Sequence, residues 1–198
     1  ANYFDPTLPD PPPIKHAGPP NPFVHNATPV TAVPEDYYAT DAFADHAVAQ
    51  IRELAKGDKP YFLHLAFTAP HYPLQAPPED IARYKGRYQK GYAVLRQERY
   101  RRLAELKLID ESWKLPPPDR KLGDARYDLE PEPWDSLADQ GWESAKMEIY
   151  AAMVDRMDRE IGRVIAQLKA MGAFDNTLIF FASDNGASAE IMVRHGGH

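Results

Sequence analysis

The sequence predicts an α/β protein in which a mainly parallel sheet is flanked by helices. A helical apolar pattern followed by a short continuous apolar run occurs twice along the chain, once near residue 50 and again near the C-terminus. Both runs end in polar, turn-forming residues, as strands of a doubly wound sheet do where they open onto a ligand crevice. With 198 residues and 43% hydrophobic content, the chain has material for one ordinary domain or a piece of a larger one.

Taken in order, residues 1–36 are rich in Pro, at 11–13, 19, 20, 22, 29 and 34, which argues for an extended segment and against helix or central strand. The domain proper is expected over 37–198. Phe43, Ala47, Val48, Ile51, Leu54 and Ala55 then recur at helical spacing, with Thr40 or Asp41 as the expected N-cap and Gly57 as the stop. After Lys59 and Pro60 comes YFLHLAF (61–67), a run of the kind that a strand buried on both faces shows. One or two helices are expected between Pro78 and Asp110, followed by a loop with PPP at 116–118 and the Pro131, Pro133, Trp134 cluster. A long stripe runs from Met147 through Tyr150, Met153, Val154, Met157, Ile161, Val164, Ile165 and Leu168 to Met171, and Gly172 ends it. The turn AFDN then leads into TLIFFAS (177–183), rich in β-branched and aromatic residues.

Composition narrows the function classes. The 29 acids against 23 Lys and Arg give a net charge of −6, so no global positive field draws the chain to nucleic acid or to an anionic membrane. No run approaches the roughly 18 apolar residues of a membrane span. The N-terminus lacks the charged and apolar regions of a signal peptide. With no Cys, thiolate metal sites, disulfides and a Cys nucleophile are excluded from these residues.

Three features bear on chemistry. Asp184 and Asn185, adjacent at the end of a strand run and followed by Gly186, offer a carboxylate and an amide oxygen of the kind a hard cation prefers. The same three residue types also make an ordinary turn, and two oxygens fall short of the roughly six to eight that calcium takes. His71 sits between Pro70 and Pro73, whose fixed φ angles stiffen the loop and make it a mount for a group that donates to an anion; a hydrogen-bonded loop histidine is the alternative. His64, inside the strand run, reads as a satisfied core or sheet-face imidazole. The stretch 83–107 interleaves Arg and Lys with Tyr84, Tyr88, Tyr92 and Tyr100 and reads as a solvated helix face, so nucleic acid is not expected as a partner.

KPYFLHLAFTAPHYPLQAP, YAAMVDRMDREIGRVIAQL and NTLIFFASDNGASAE, in this order, resemble the sulfatase family of the alkaline phosphatase superfamily, and bacterial arylsulfatases most. GYAVLRQERYRRLAELKLID and YYATDAFADHAVAQI extend the likeness over roughly residues 37–192. The resemblance implies a partial alkaline-phosphatase-like fold and hydrolysis of a small-molecule sulfate ester. It assigns Asp184 and Asn185 to a calcium site, with magnesium as an alternative ion, and His71 to contact with the sulfate. It also implies a formylglycine nucleophile made from a C/S-x-P-x-R motif, and no such motif occurs in this sequence. The chain is therefore expected to be a central slice of a sulfatase, inactive alone. Export or a periplasmic location is implied by the resemblance only. A phosphomonoester or phosphonate monoester hydrolase of the same superfamily is the alternative, and a binding module built on 83–107 is a third.

Overall fold

The computed structural model describes residues 24–26, 28–30, 32–110, 112–117 and 133–186. Among them the order is β1 (Val24–His25), β2 (Thr28–Pro29), α1 (Ala39–Leu54), α2 (Pro78–Ala82), α3 (Tyr92–Glu105) and α4 (Gln140–Ala170). Single 3-10 turns lie at Trp134–Ser136 and Phe174–Asn176. The chain divides into two compact units. The first holds the described residues up to Gln75 together with Met153–Phe181, and the second holds Ala76–Ala152 and the described residues from Ala182 onward. Helix α4 contributes to both.

In the first unit, α1 buries Thr40, Ala44, Ala47 and Ile51, spaced at four, three and four residues along one stripe. Its start corrects the expected cap at Thr40 or Asp41: the helix begins at Ala39, after Tyr38 in an extended conformation. Tertiary demand explains the shift. Thr40 is buried, and the Asp41 carboxylate receives both Arg156 Nε (2.8 Å) and Arg156 Nη2, so it is committed to another helix rather than to its own N-terminus. Gly57 lies in the turn after the helix, its N–H donating to Leu54 O at 3.2 Å.

Three side-chain contacts link α1 to α4: Asp41 to Arg156, Asp45 to Arg163, and Arg52 Nε to Gln167 Oε1 at 2.8 Å. They occur in the same order along both helices, with sequence offsets of 115, 118 and 115 residues. Two helices that keep such an offset over three turns run parallel, because each rises about 1.5 Å per residue. Glu160, 2% exposed, would be a costly buried charge without Arg163 Nη1 and Arg159 Nε (3.3 Å) beside it. Gly172, at φ +66, ends the helical run as expected, its N–H donating to Lys169 O at 3.0 Å.

The parallel sheet expected from the two apolar runs is not formed among the described residues, where β1 and β2 make one antiparallel pair with Val24 opposite Pro29 and His25 opposite Thr28. Both runs follow their helices as extended chain. In 61–67 burial alternates, with Tyr61, Leu63, Leu65 and Phe67 half-buried and Phe62, His64 and Ala66 exposed. That period of two is the strand signature. His64 is therefore an exposed side chain and not a core imidazole. Residues 178–183 are exposed throughout. A strand buried on both faces needs paired edges and a covering layer on each side, and neither run has them among the described residues. The stripe on α4 is affected too, since only Met153 and Leu168 of it are buried.

Where one or two helices are expected between Pro78 and Asp110, the second unit contains two. Pro78 opens α2 at a position where its missing N–H costs nothing. Gly91, at φ +84, precedes α3, which buries no residue. Its contacts come from side chains: Arg96 Nη2 donates to Pro116 O at 2.7 Å, and Tyr100 donates to Trp113 O. Asp139 Oδ1 accepts the Trp142 amide at 2.8 Å and so caps the start of α4.

Candidate active site

His71 follows the extended run 61–67 on a turn closed by its own N–H donating to Thr68 O at 2.9 Å. The Ala69–Pro70 and Tyr72–Pro73 peptide bonds on either side are both cis. The ring is exposed, and Nδ1 lies 2.6 Å from Tyr72 O. A carbonyl only accepts, so Nδ1 carries a proton and Nε2 is the nitrogen left for a ligand. With one proton the ring offers Nε2 as an acceptor; with two it offers a charged donor suited to an anion. Tyr38 steadies the chain beyond the loop, its hydroxyl donating to Gln75 O at 3.0 Å, and the Gln75 N–H points to Met153 Sδ at 3.3 Å.

Asp184 and Asn185 sit at the end of the second extended run, both exposed. The turn is held by short local bonds: Ser183 Oγ donates to Asn185 O at 2.6 Å, and Asn185 Nδ2 donates to Gly186 O at 2.8 Å. The amide nitrogen being used in this way, Asn185 Oδ1 remains an acceptor, next to an Asp184 carboxylate with no hydrogen bond or ion pair to the described residues. The residues thus make the turn and still offer two oxygens, which suits a hard cation in kind but supplies only part of its shell. Among the described residues no three His, Asp or Glu side chains gather as a metal-binding group. His71 belongs to the first unit and Asp184 and Asn185 to the second.

One constellation escaped the sequence reading. Tyr92 OH donates to Glu143 Oε2 at 2.5 Å, Lys146 Nζ donates to Glu143 Oε1 at 2.6 Å, and the Tyr92 ring stands edge-on to Trp134 with centroids 5.1 Å apart. Burial, then the hydrogen bond to Glu143, pushes the Tyr92 phenol well above its ordinary range. Burial pushes Glu143 up, but the hydrogen bonds from Lys146 and Tyr92 outweigh it and leave the carboxyl below its ordinary value. The partners are about 50 residues apart, so no local spacing signals them; the one available sign was a Gly immediately before an aromatic at the start of a helical pattern.

The family model for sulfatases matches residues 5–198. The chain belongs to the sulfatase family. An arylsulfatase of Klebsiella aerogenes is 39% identical over 159 residues, covering 79% of this chain and 32% of that protein. An uncharacterized sulfatase of Schizosaccharomyces pombe is 38% identical over 173 residues, covering 86% of this chain and 30% of its own length. A multifunctional alkaline phosphatase superfamily protein of Trinickia caryophylli, PehA, is 26% identical over 154 residues, covering 78% of this chain and 28% of that protein. This sulfatase chain thus spans about a third of the length of the relatives it matches.

Proposed function

We propose that the chain is the central part of an arylsulfatase-like sulfuric ester hydrolase, with a formylglycine nucleophile and further metal ligands supplied by residues outside these 198. The observation that carries this is the oxygen pair of Asp184 and Asn185 at the end of an apolar run, without partners among the described residues, in a chain of this family. Asp184 and Asn185 would hold calcium, or magnesium, through oxygen. Such a cation, when bound, neutralises charge on a sulfate group. His71, its Nδ1 proton fixed on Tyr72 O, presents Nε2 and in its doubly protonated form donates to a sulfate or leaving-group oxygen. One catalytic domain over 37–198, with 61–67 and 177–183 as parallel strands, belongs to the same proposal and is supported by the parallel run of the two helices that precede them.

A chimera tests it. The 198-residue chain replaces its 39%-identical counterpart in the Klebsiella aerogenes arylsulfatase, and hydrolysis of a chromogenic aryl sulfate is measured. The chimera turns over, His71→Ala and Asp184→Ala each lower kcat by about a hundredfold or more, and the chain alone gives none. Clear turnover by the chain alone, or full activity of both variants, would overturn the proposal. The likeness to the alkaline phosphatase superfamily protein PehA favours a second reading, a phosphomonoester or phosphonate monoester hydrolase. Preference of the chimera for an aryl phosphate over the sulfate would select it.

A further inference from the structure

Residues 83–107 carry nine Lys and Arg against Glu98 and Glu105, a net charge of +7 inside a chain whose total is −6. All of them are described residues of the second unit. Helix α3, in the middle of the stretch, buries nothing, so these cations are not the rim of a packed core. Carboxylates occupy only some of them. Lys90 meets Glu98 at 2.8 Å and Arg102 meets Glu105 at 3.1 Å, both in exposed pairs that hold weakly in water. Arg99, Arg101, Lys85 and Lys107 are exposed with no carboxylate in ion-pair range among the described residues.

The tyrosines decide between polyanions. A single-stranded nucleic acid bound through such a stretch stacks its bases on exposed rings. Here three of the four rings have other work: Tyr92 packs edge-on against Trp134 and bonds Glu143, Tyr100 bonds Trp113 O, and Arg87 lies 5.0 Å above the Tyr84 ring. What remains available is a dense set of exposed guanidinium and ammonium groups, which recognises anionic oxygens and needs no base. We propose that the exposed basic stretch 83–107 is a docking surface for a sulfated polysaccharide. The choice of a sulfated polymer rests on the sulfate ester hydrolase reading; the surface itself rests on charge and exposure.

The test is retention of the 198-residue chain on immobilised heparin, with desulfated heparin and single-stranded DNA as comparison columns. Despite its net negative charge the chain is retained at low salt and released as salt rises. Arg99→Gln with Arg101→Gln weakens heparin binding about tenfold with unchanged helical circular dichroism, because neither side chain supports a core. Lys56→Gln with Lys59→Gln removes the same charge elsewhere and leaves binding unchanged. Absence of retention at low salt, equal losses in both double variants, or equal binding to desulfated heparin or DNA would overturn the proposal. Because no hydrolysis is measured, retention alongside an inactive chimera would sink the hydrolase reading and leave the docking surface standing.

Discussion

A methyl group at position 91 would have nowhere to go. A Cβ built on Gly91 falls 2.5 Å from Trp134 Cγ, and the backbone there, at φ 84 and ψ 163, is one that only glycine adopts without strain. Gly91→Ala is therefore expected to destabilise the chain by about 3 kcal/mol, read from urea unfolding, whereas Gly86→Ala, which meets only Gln89 Nε2 at 4.0 Å and has the positive φ to bear, costs about 1 kcal/mol. The neighbouring Tyr92–Glu143 bond makes a pH prediction. Tyr92 is raised, so its contribution is complete below the ordinary tyrosine value near 10 and fades as pH climbs past it. Glu143 is lowered, so its contribution is present above about 4.5 and is lost as pH falls. Tyr92→Phe should cost about 1 kcal/mol at pH 7, with the difference from the parent shrinking in strong alkali. A cost that stays constant from pH 7 to 12 would show that the phenol proton is not what matters.

At the scale of elements, the pairs between α1 and α4 differ in worth because they differ in contact with water. Arg156 and Asp41 are 14% and 26% exposed and bonded through two nitrogens, with Tyr38 beneath the guanidinium at 5.8 Å. Arg163 and Asp45 are 45% and 61% exposed, although the hydrogen bonds Arg163 donates to Asp45 and then to Glu160 push the guanidinium value further up. Arg156→Ala should cost about 2 kcal/mol, and Asp45→Ala less than about 1 kcal/mol. A double-mutant cycle over Asp41 and Arg156 measures the coupling directly, and a value near zero would mean that the parallel run of the two helices does not depend on this pair.

At the scale of the whole molecule, the parts legible in the sequence are those whose cause is local. The helical stripe through Ala47 and Ile51, the stop at Gly172 and the presence of helix between Pro78 and Asp110 each follow from residues within a few positions. The Tyr92–Glu143 and Asp41–Arg156 partnerships are set by tertiary packing across 51 and 115 residues, and no spacing rule reaches that far. The apolar runs are the case between. Their composition announces strands, and 61–67 keeps the alternation, but a sheet is a property of neighbours and these runs have none among the described residues. The consequence is measurable. Phe62, Leu178, Phe180 and Phe181 stand 76–88% exposed, and TLIFFAS is an uncharged, Pro-free window of high β propensity whose edges are unpaired among the described residues. In solution at tens of micromolar the 198-residue chain is expected to associate through these edges, seen as concentration-dependent light scattering. Phe180→Lys places a charge in the middle of the window and should suppress the association, while Val94→Lys, an exposed change on α3, should not. Equal scattering from the parent and Phe180→Lys would locate the sticky surface elsewhere, and the exposed apolar run 177–183 would not be the cause of association.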